Sequence, residues 1–361
     1  MNIVFDAHIF RWSKTGGVRR YFEEVISHLP HDWSPVLMGL DRNFDRLPVH
    51  PKLAVSRLTP LPPRRITQRL KRDWWQRRLL GPTSLLHPTF YQLTGGLRYT
   101  ELKCKVVVTV YDFIHEAYQK IGSDASATLL RQREAIERAD HLICISQATE
   151  DALLERYPDK QERSSVVYLG ASYPVLPDLP DDSIFERPTF LFVGGRGGYK
   201  NFLFLLRAFA KACQSHPHIR LHVAGAPLSD DELWEVHVLG LVDRVESSVF
   251  PDETQLPLLY RKSVALLYPS WHEGFGLPPL EAMACGTLAV TGNRTSLPEV
   301  VQDAGLQLDP DDEGAWTECI LSIANQQVPR AAMLKKGQDR AAFLSWEKCA
   351  AEHLEIYRKL A

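Results

Sequence analysis

The feature that most constrains the fold is an alternation of short apolar runs with longer stretches of helical spacing. Such alternation is typical of strand and helix units whose strands pair in parallel. It occurs once before about residue 170 and again after about residue 188. We therefore expect an α/β protein with two parallel sheets, whose strands include the apolar runs 3–5, 106–110, 141–145, 190–193, 220–224 and 264–268.

The chain length also favours two domains. Its 361 residues exceed what one hydrophobic core usually organises, and a hydrophobic content of 45% supplies apolar surface for two cores. Residues 173–188, YPVLPDLPDDSIFERP, carry the prolines and acids of an exposed connector. We place the first domain at 1–172 and the second at 173–344. A helix with apolar positions Cys349, Leu354, Tyr357 and Leu360 is predicted at about 345–361.

Composition and charge exclude several classes of protein. The formal net charge is −2, so the molecule as a whole does not favour polyanions and no nucleic-acid partner is expected. The six cysteines contain no C-x-x-C pair, which argues against a disulfide framework or a zinc site. The start of the chain lacks the pattern of a secretory signal, and no run is long enough for a transmembrane helix. We expect a cytoplasmic protein.

The most informative segment is 266–285, LLYPSWHEGFGLPPLEAMAC, in which an apolar run leads through a polar loop into a helix expected to start near Pro278–Pro279. Gly274 and Gly276 allow a ligand close to the backbone, and the amides of the helix start favour a phosphate. Glu273 can lie near a sugar while Glu281 accepts hydrogen bonds from ribose hydroxyls. If these two glutamates stood alone, the better interpretation would be that Glu273 is solvated in a loop and that Glu281 complements the helix dipole. The surrounding glycines and prolines favour the ligand site.

The stretch E-G-F-G-L-P-P-L-E, residues 273–281, resembles the E-x7-E motif of family 4 glycosyltransferases. The resemblance implies the GT-B fold, in which two Rossmann-like domains face a central cleft and a C-terminal helix crosses back to the first domain. It also implies that the donor nucleotide contacts the backbone of 274–277, including Phe275 and Leu277. Gly16 and Gly17, in KTGGVRRYF, resemble the glycine-rich loop that faces the donor phosphates in this family. A plain tight turn is the alternative for these two glycines.

A second segment, FLFVGGRGGYKNF at 190–202, resembles the family's V-G-R-x-x-x-K-N pattern. The resemblance implies that Gly195, Arg196 and Lys200 hold the donor pyrophosphate and stabilise its charge as the glycosidic bond breaks. We expect both cations to lie at a solvated cleft; a glycine-rich surface turn with solvated cations is the alternative interpretation. A P-loop would need Gly-Lys-Ser/Thr, and no G-x-G-x-x-G with a suitable acid downstream indicates dinucleotide binding.

The third segment is Y-D-F-I-H-E, residues 111–116, directly after a predicted strand. The family commonly has His-Asp at this place, whereas here Tyr111 precedes Asp112 and His115 follows three residues later. Asp112 and His115 are therefore candidate catalytic residues. Whether Tyr111 or His115 takes the role of the family histidine stays open.

The resemblance implies a retaining mechanism in which the donor phosphate helps to deprotonate the acceptor, so no protein nucleophile is required. Glu273, Arg196 and Lys200 are the catalytic candidates of the second domain. No cofactor and no metal are expected. Asp309-Pro310-Asp311 has the form of an Asp-x-Asp metal motif, but Asp311 or Asp312 precedes the predicted helix EGAWTECILSIA, so capping of that helix explains these acids better. Similarity to bacterial mannosyltransferases favours GDP-mannose or a GDP-linked deoxysugar as donor, with a glycan or polyprenyl-linked acceptor in cell-surface polysaccharide synthesis.

A basic segment at 63–80, PRRITQRLKRDWWQRRLL, holds seven cations against one acid, Asp73. Ile66, Leu70 and Trp74 fall on one face of a helix, which would suit an anionic membrane surface with the tryptophans at headgroup depth. RNA is a rival partner, and a solvated helix with buried tryptophans is the structural alternative. We predict peripheral membrane association.

Two functions from different classes remain open at this point. One is the transferase, and the other is a non-catalytic accessory protein of the same fold that binds a sugar nucleotide or lipid. The presence of Glu273, Glu281, Arg196 and Lys200 together favours the enzyme. A phosphorylase with pyridoxal phosphate would need a much longer chain.

Overall fold

The computed structural model describes residues 2–13, 16–40, 47–57, 64–118, 125–173, 187–249 and 254–361, without the side chains of 2, 64–69 and 125. The chain forms two compact units. Unit 1 comprises Met1–Gly170 and Trp346–Ala361, and unit 2 comprises Ala171–Ser345. Most of the predicted connector lies outside the described residues.

The described part of unit 1 is built on a parallel sheet. Its strands are β1 Asn2–Asp6, β2 Ser34–Leu40, β3 Ala54–Arg57, β4 Leu85–His87, β5 Lys105–Val110, β6 His141–Cys144 and β7 Ser164–Val166. They lie in the order β3-β2-β1-β4-β5-β6-β7. The β-branched run in β5, whose last five residues are all buried, suits a central strand covered on both faces.

Unit 2 repeats this plan. Its described strands are β8 Thr189–Val193, β9 Arg220–Gly225, β10 Val245–Val249, β11 Ala265–Tyr268, β12 Leu288–Gly292 and β13 Leu306–Leu308, all parallel, in the order β10-β9-β8-β11-β12-β13. Each of the six predicted apolar runs falls on a strand. The predicted pair of parallel sheets in an α/β fold is confirmed.

Helices connect the strands in both units. In unit 1 they are α1 His8–Trp12, α2 Gly17–Ser27, α3 Arg64–Arg78, α4 Ile114–Ala117, α5 Ala125–Arg138 and α6 Gln147–Arg156. In unit 2 they are α7 Phe202–Ser215, α8 Asp230–Val238, α9 Gln255–Lys262, α10 Leu277–Ala284, α11 Leu297–Val301, α12 Glu313–Ala324 and α13 Arg330–Phe343.

In each sheet there is one pair of neighbouring strands from which the chain adds later strands towards opposite edges of the sheet. In unit 1 this switch point lies between β1 and β4, and in unit 2 between β8 and β11. In open parallel sheets, ligands bind beyond the carboxyl ends of the two strands at this switch point. The topology therefore marks one candidate ligand site in each unit.

The last helix, α14 Trp346–Leu360, belongs to unit 1 and packs on α2. Its buried face differs from the predicted one, because Leu354 and Leu360 are only half-buried. His353 is buried instead, and its Nε2 lies 2.5 Å from the hydroxyl of Tyr21. A periodic count of apolar residues cannot detect a buried position whose polar group has a hydrogen-bond partner. The buried positions are Trp346, Cys349, Ala350, His353, Ile356 and Tyr357.

Candidate functional site

The segment after β8 carries the first predicted cation. The side chain of Arg196 is only 6% exposed: its Nε donates to Glu232 Oε1 at 2.8 Å and its Nη2 to the carbonyl of Pro227 at 2.6 Å. The alternative of a solvated cation does not hold for Arg196, because the start of α8 supplies a carboxylate partner. Its Nη1 is buried and has no hydrogen-bond partner among the described residues. Gly195, next to it, is exposed.

Lys200 is also paired within unit 2. Its ammonium donates to both carboxylate oxygens of Glu273, at 2.7 and 2.8 Å, and to the Tyr268 hydroxyl at 2.8 Å. The two charged side chains are 15% and 9% exposed, so this cation is not solvated either. The structure thus joins two predicted site residues, one after β8 and one after β11, in an ion pair at the switch point.

The loop that carries Glu273 is held by the segment after β12. The amide of Glu273 donates to Thr295 Oγ1 at 3.0 Å, and the single proton of the Ser296 hydroxyl is shared between the carbonyls of Glu273 and Phe275, which lie 2.9 and 2.8 Å from Oγ. Ser296 is completely buried. These bonds fix the loop backbone, including the buried Gly274, directly before a helix.

The helix start itself requires glycine. Gly276 has a φ of 108°, and a Cβ there would lie 2.8 Å from Leu297 Cδ2. Helix α10 begins at Leu277, one residue before the predicted start, with proline in its first turn. Because first-turn amides have no partner within the helix, they are available to an anion.

Glu281 projects from α10 towards α9. The hydroxyl of Tyr260 donates to Glu281 Oε2 at 3.0 Å. Burial, followed by the negative charge of Glu281, raises the pKa of Tyr260 well above its usual range, so the phenol keeps the proton that it donates. Glu273 and Glu281 therefore have different partners, a lysine for one and a tyrosine for the other.

The acids at 309–312 are occupied in the structure. Arg294 Nη2 donates to Asp309 Oδ1 at 2.8 Å and to Asp311 Oδ2 at 2.6 Å, and Trp271 Nε1 donates to Asp311 Oδ1. Asp312 caps α12 by accepting from the Ala315 amide. Capping therefore explains the third acid, and Arg294 pairing explains the other two. Among the described residues, no three His, Cys, Asp or Glu side chains are grouped to hold a metal.

The candidates near the start of the chain lie in unit 1. Gly16 has a φ of 119° and precedes α2, which begins at Gly17. This left-handed conformation favours glycine. The adjacent Lys14 and Thr15 lie outside the described residues.

The loop after β5 separates its three candidates. Tyr111 is buried: its hydroxyl donates to the carbonyl of Thr89 and its amide to the hydroxyl of Tyr91. Asp112 is half-buried and its Oδ1 accepts from the Ile114 amide at 3.0 Å, whereas His115 is exposed on α4. Tyr111 is therefore part of the packing of unit 1, and of the two ring residues only His115 is open to solvent.

Sequence reasoning missed the partners of the charged side chains. Glu232 forms a capping box with Ser229 at the start of α8, and S-x-x-E before a helix is a recognisable signal for that motif. Nothing in the sequence indicates that the same glutamate also binds Arg196. Tyr260 and Tyr268 were missed because an aromatic residue in a helix or strand is usually core.

Comparison with known proteins identifies the family of each half. Residues 15–172 match the family description "Glycosyltransferase Family 4", and residues 181–340 match "Glycosyl transferases group 1". Together the two matches span most of the chain.

Two relatives and one solved structure are informative. The chain is 31% identical over 63% of its length to O-antigen chain mannosyltransferase B of Escherichia coli, and 30% identical over 55% to O-antigen chain mannosyltransferase RfbU of Salmonella typhimurium. These matches span 62% and 54% of the relatives' own lengths. Sucrose-phosphate synthase from Thermosynechococcus elongatus superposes with a TM-score of 0.77 at 22% identity, over 99% of this chain and 98% of that one. With both halves matched and the fold shared, the chain belongs to the family 4 glycosyltransferases of GT-B fold.

Proposed function

We propose that the protein is a retaining, metal-independent transferase that moves a hexose from a nucleotide-diphosphate sugar to a glycan or lipid-linked acceptor in cell-surface polysaccharide synthesis. The observation that carries the proposal is the pairing of Lys200 with Glu273 at the switch point of unit 2. On the same segment after β8, the Nη1 of Arg196 has no hydrogen-bond partner within the part of the chain that the structure describes. Both cations follow β8, and each is fixed by a neighbouring segment: Lys200 by the loop after β11 and Arg196 by the residues after β9. A diphosphate suits this arrangement because its charges can bind two fixed cations and helix-start amides together.

In this mechanism the two cations stabilise the diphosphate as it leaves, and Glu281 binds the ribose hydroxyls. Glu273 lies beside the sugar and positions Lys200. The donor phosphate accepts the proton of the acceptor hydroxyl, so the protein acts by placement and electrostatic stabilisation. Asp112 and His115 are the proposed catalytic residues of unit 1, and His115 is exposed and so open to a substrate.

GDP-mannose or a related GDP-linked deoxysugar is the proposed donor, supported by the mannosyltransferase names of the two relatives. Calorimetric titration with GDP, UDP and ADP should give the tightest binding for GDP. Transfer from GDP-mannose should yield an α-linked product by NMR, as in the donor, and should continue in EDTA. A β-linked product, tighter UDP binding, or activity that EDTA abolishes and manganese restores would each reject the corresponding part of the proposal.

We further propose that α3 lies against an anionic membrane surface. On this helix Leu70 and Trp74 are 63% and 45% exposed, and Arg77 and Arg78 are exposed as well. Trp75 cannot take part, because it is buried and its Nε1 donates to Ser56 Oγ at 2.8 Å. The predicted pair of headgroup tryptophans is therefore reduced to one, and Ile66 and Arg69 have side chains outside the described set. No helix among the described residues is long and apolar enough to cross a bilayer.

The membrane proposal is tested by changing Lys71, Arg77 and Arg78 to Gln. Each basic residue at an anionic surface contributes about 1 kcal/mol, so the triple variant should lose most of its sedimentation with anionic liposomes. A matched control changes Lys211, Lys335 and Lys336 of unit 2 to Gln, which alters the net charge equally. Equal loss in both variants would indicate a general charge effect and reject a role for α3.

A further inference from the structure

The switch point of unit 1 opens into a cavity. The residues that follow β1 and those that follow β4 line a space of about 610 Å³, which also borders α5. Pockets for small ligands usually fall between roughly 300 and 1,000 Å³. The cations proposed to bind the donor diphosphate lie in unit 2, and Gly16 and Gly17 do not line this cavity, so it is available for a different molecule.

Positive charge dominates the cavity lining. Arg11, Arg98 and Arg131 line it, against Glu134 as the acidic side chain among the lining residues. Arg98 and Arg131 are exposed, and neither guanidinium has an ion-pair partner among the described residues. His8 adds no charge: burial, together with Arg11 and Arg131, lowers its pKa to about 4. The cavity therefore favours an anion.

An aromatic surface lies at the same cavity. Trp12 is 72% exposed although it lines the cavity, and its ring centroid lies 6.0 Å from that of Phe90. Phe90 in turn stacks on His8 at 6.1 Å. The face of an aromatic ring is electron-rich, and the C–H face of a sugar can pack against it. A supported, exposed tryptophan is therefore suited to a sugar ring.

The cavity wall is preformed. Gly95 has a φ of 71°, and a Cβ there would lie 2.6 Å from the Trp75 ring of the basic helix α3. The buried carboxylate of Asp6 accepts from the amides of Thr94 and His8 at 2.6 and 2.7 Å and so ties the β1 and β4 segments together. In addition, the Tyr99 hydroxyl in the lining is buried and has no partner among the described residues. This hydroxyl is therefore able to form a hydrogen bond with a molecule bound in the cavity.

We propose that this cavity binds the acceptor as a phosphate ester of a saccharide, with Arg98 and Arg131 holding the phosphate and Trp12 stacking on the sugar. That the bound molecule is the acceptor rests on the proposed transferase function, whereas the binding of a saccharide phosphate to the cavity does not depend on it. A free sugar phosphate and a lipid-linked sugar diphosphate share the recognised chemistry.

The test measures binding in the absence of any donor. Hexose 1-phosphate, and a short prenyl diphosphate saccharide in micelles, are titrated into the wild type and into the double variant Arg98→Gln, Arg131→Gln. We expect the variant to bind at least about tenfold more weakly, as loss of charge-assisted hydrogen bonds predicts. The control is Arg133→Gln, on the same helix as Arg131 but paired with Glu137, and it should bind as the wild type does.

Trp12→Ala separates the two halves of the ligand. It should weaken hexose 1-phosphate while leaving inorganic phosphate unchanged. If only the prenyl diphosphate saccharide binds and the arginine variant weakens it, the lipid-linked form is the acceptor. Equal affinities of wild type and arginine variant, or no binding of either probe to the wild type, overturn the proposal.

The transferase proposal fails separately from the cavity proposal. Nucleotide affinity and sugar transfer are measured on the same preparations. Loss of hexose 1-phosphate binding with unchanged GDP affinity supports the cavity assignment. A wild type that binds the sugar phosphates but transfers no hexose rejects the transferase and leaves the cavity as a sugar-phosphate site.

Discussion

Replacing Lys200 by methionine should destabilise unit 2 strongly, although the side chain lies at a ligand site. The change leaves Glu273 with a carboxylate that is 9% exposed and has lost the ammonium that bonds both its oxygens. Removing one partner of a buried ion pair costs about 3–5 kcal/mol. Since Lys200 is 15% exposed, we expect about 3 kcal/mol, the lower end of that range.

A second change should recover part of this loss. With Glu273→Gln in the Lys200→Met background, the buried group is a neutral amide instead of an unpaired charge. The double variant should therefore be more stable than the sum of the single variants predicts, with a coupling energy of about 1–2 kcal/mol for residues in direct contact. Lys335→Met is the control, because its pair with Asp339 is 72% and 63% exposed and should contribute little.

The assay is urea denaturation followed by circular dichroism, with unchanged slope required for each comparison. The free energy of unfolding of the four proteins gives the coupling energy directly. If Lys200→Met is as stable as the wild type, or if the two single changes are additive, then the Lys200–Glu273 ion pair does not contribute to the free energy of unfolding. Loss of transfer activity in Lys200→Met would then be interpretable as a loss of chemistry alone.

Three further predictions concern Arg196, Tyr260 and His353. Arg196→Lys keeps the charge, but an ammonium cannot bind Glu232 and Pro227 and still present a third nitrogen to the donor, as Nη1 of the guanidinium does. Donor affinity measured by calorimetry should therefore fall nearly as far as in Arg196→Ala. Tyr260→Phe should remove the hydrogen bond from the Tyr260 hydroxyl to Glu281 and so change nucleotide affinity, without affecting the binding of hexose 1-phosphate. Burial lowers the pKa of His353 from 6.5 to about 4, so the unfolded chain binds more protons between these values, and the free energy of unfolding should fall as pH drops from about 6.5 to about 4 in denaturation curves.

Much of the fold could be predicted because the strands that form the centre of each sheet are apolar and β-branched. Runs such as 106–110 and 190–193 are buried on both faces, so nearly every position in them is apolar and the run can be recognised in the sequence. Two of the strands that were not predicted, β2 and β4, lack this signal, whereas β12 is buried at every position and was missed. β2 contains a proline and a glycine, and β4 has three residues, the last of which is the buried His87.

The candidate site was predictable as a set of segments but not as a set of contacts. The sequence motifs that contain Lys200 and Glu273 each follow a predicted strand, and the two strands meet at one switch point. The motifs cannot give the distance between two side chains that are 73 residues apart. The same limit explains why Glu232 was missed, since its pairing with Arg196 depends on the path of α8. The unit 1 cavity had no motif at all, because its arginines come from three separate segments.

The two cations of unit 2 are fixed in different ways, and this difference decides how each can bind a ligand. All three ammonium protons of Lys200 have acceptors, so a phosphate oxygen has to replace one of its present bonds. Arg196 uses Nε and Nη2 and keeps Nη1, so it can bind a phosphate while its pair with Glu232 persists. A guanidinium held in this way loses little rotamer freedom on binding, whereas a solvated arginine would lose about 0.5–1.5 kcal/mol. Arg196 therefore acts as the preorganised anchor and Lys200 as the group whose partner changes when the ligand arrives.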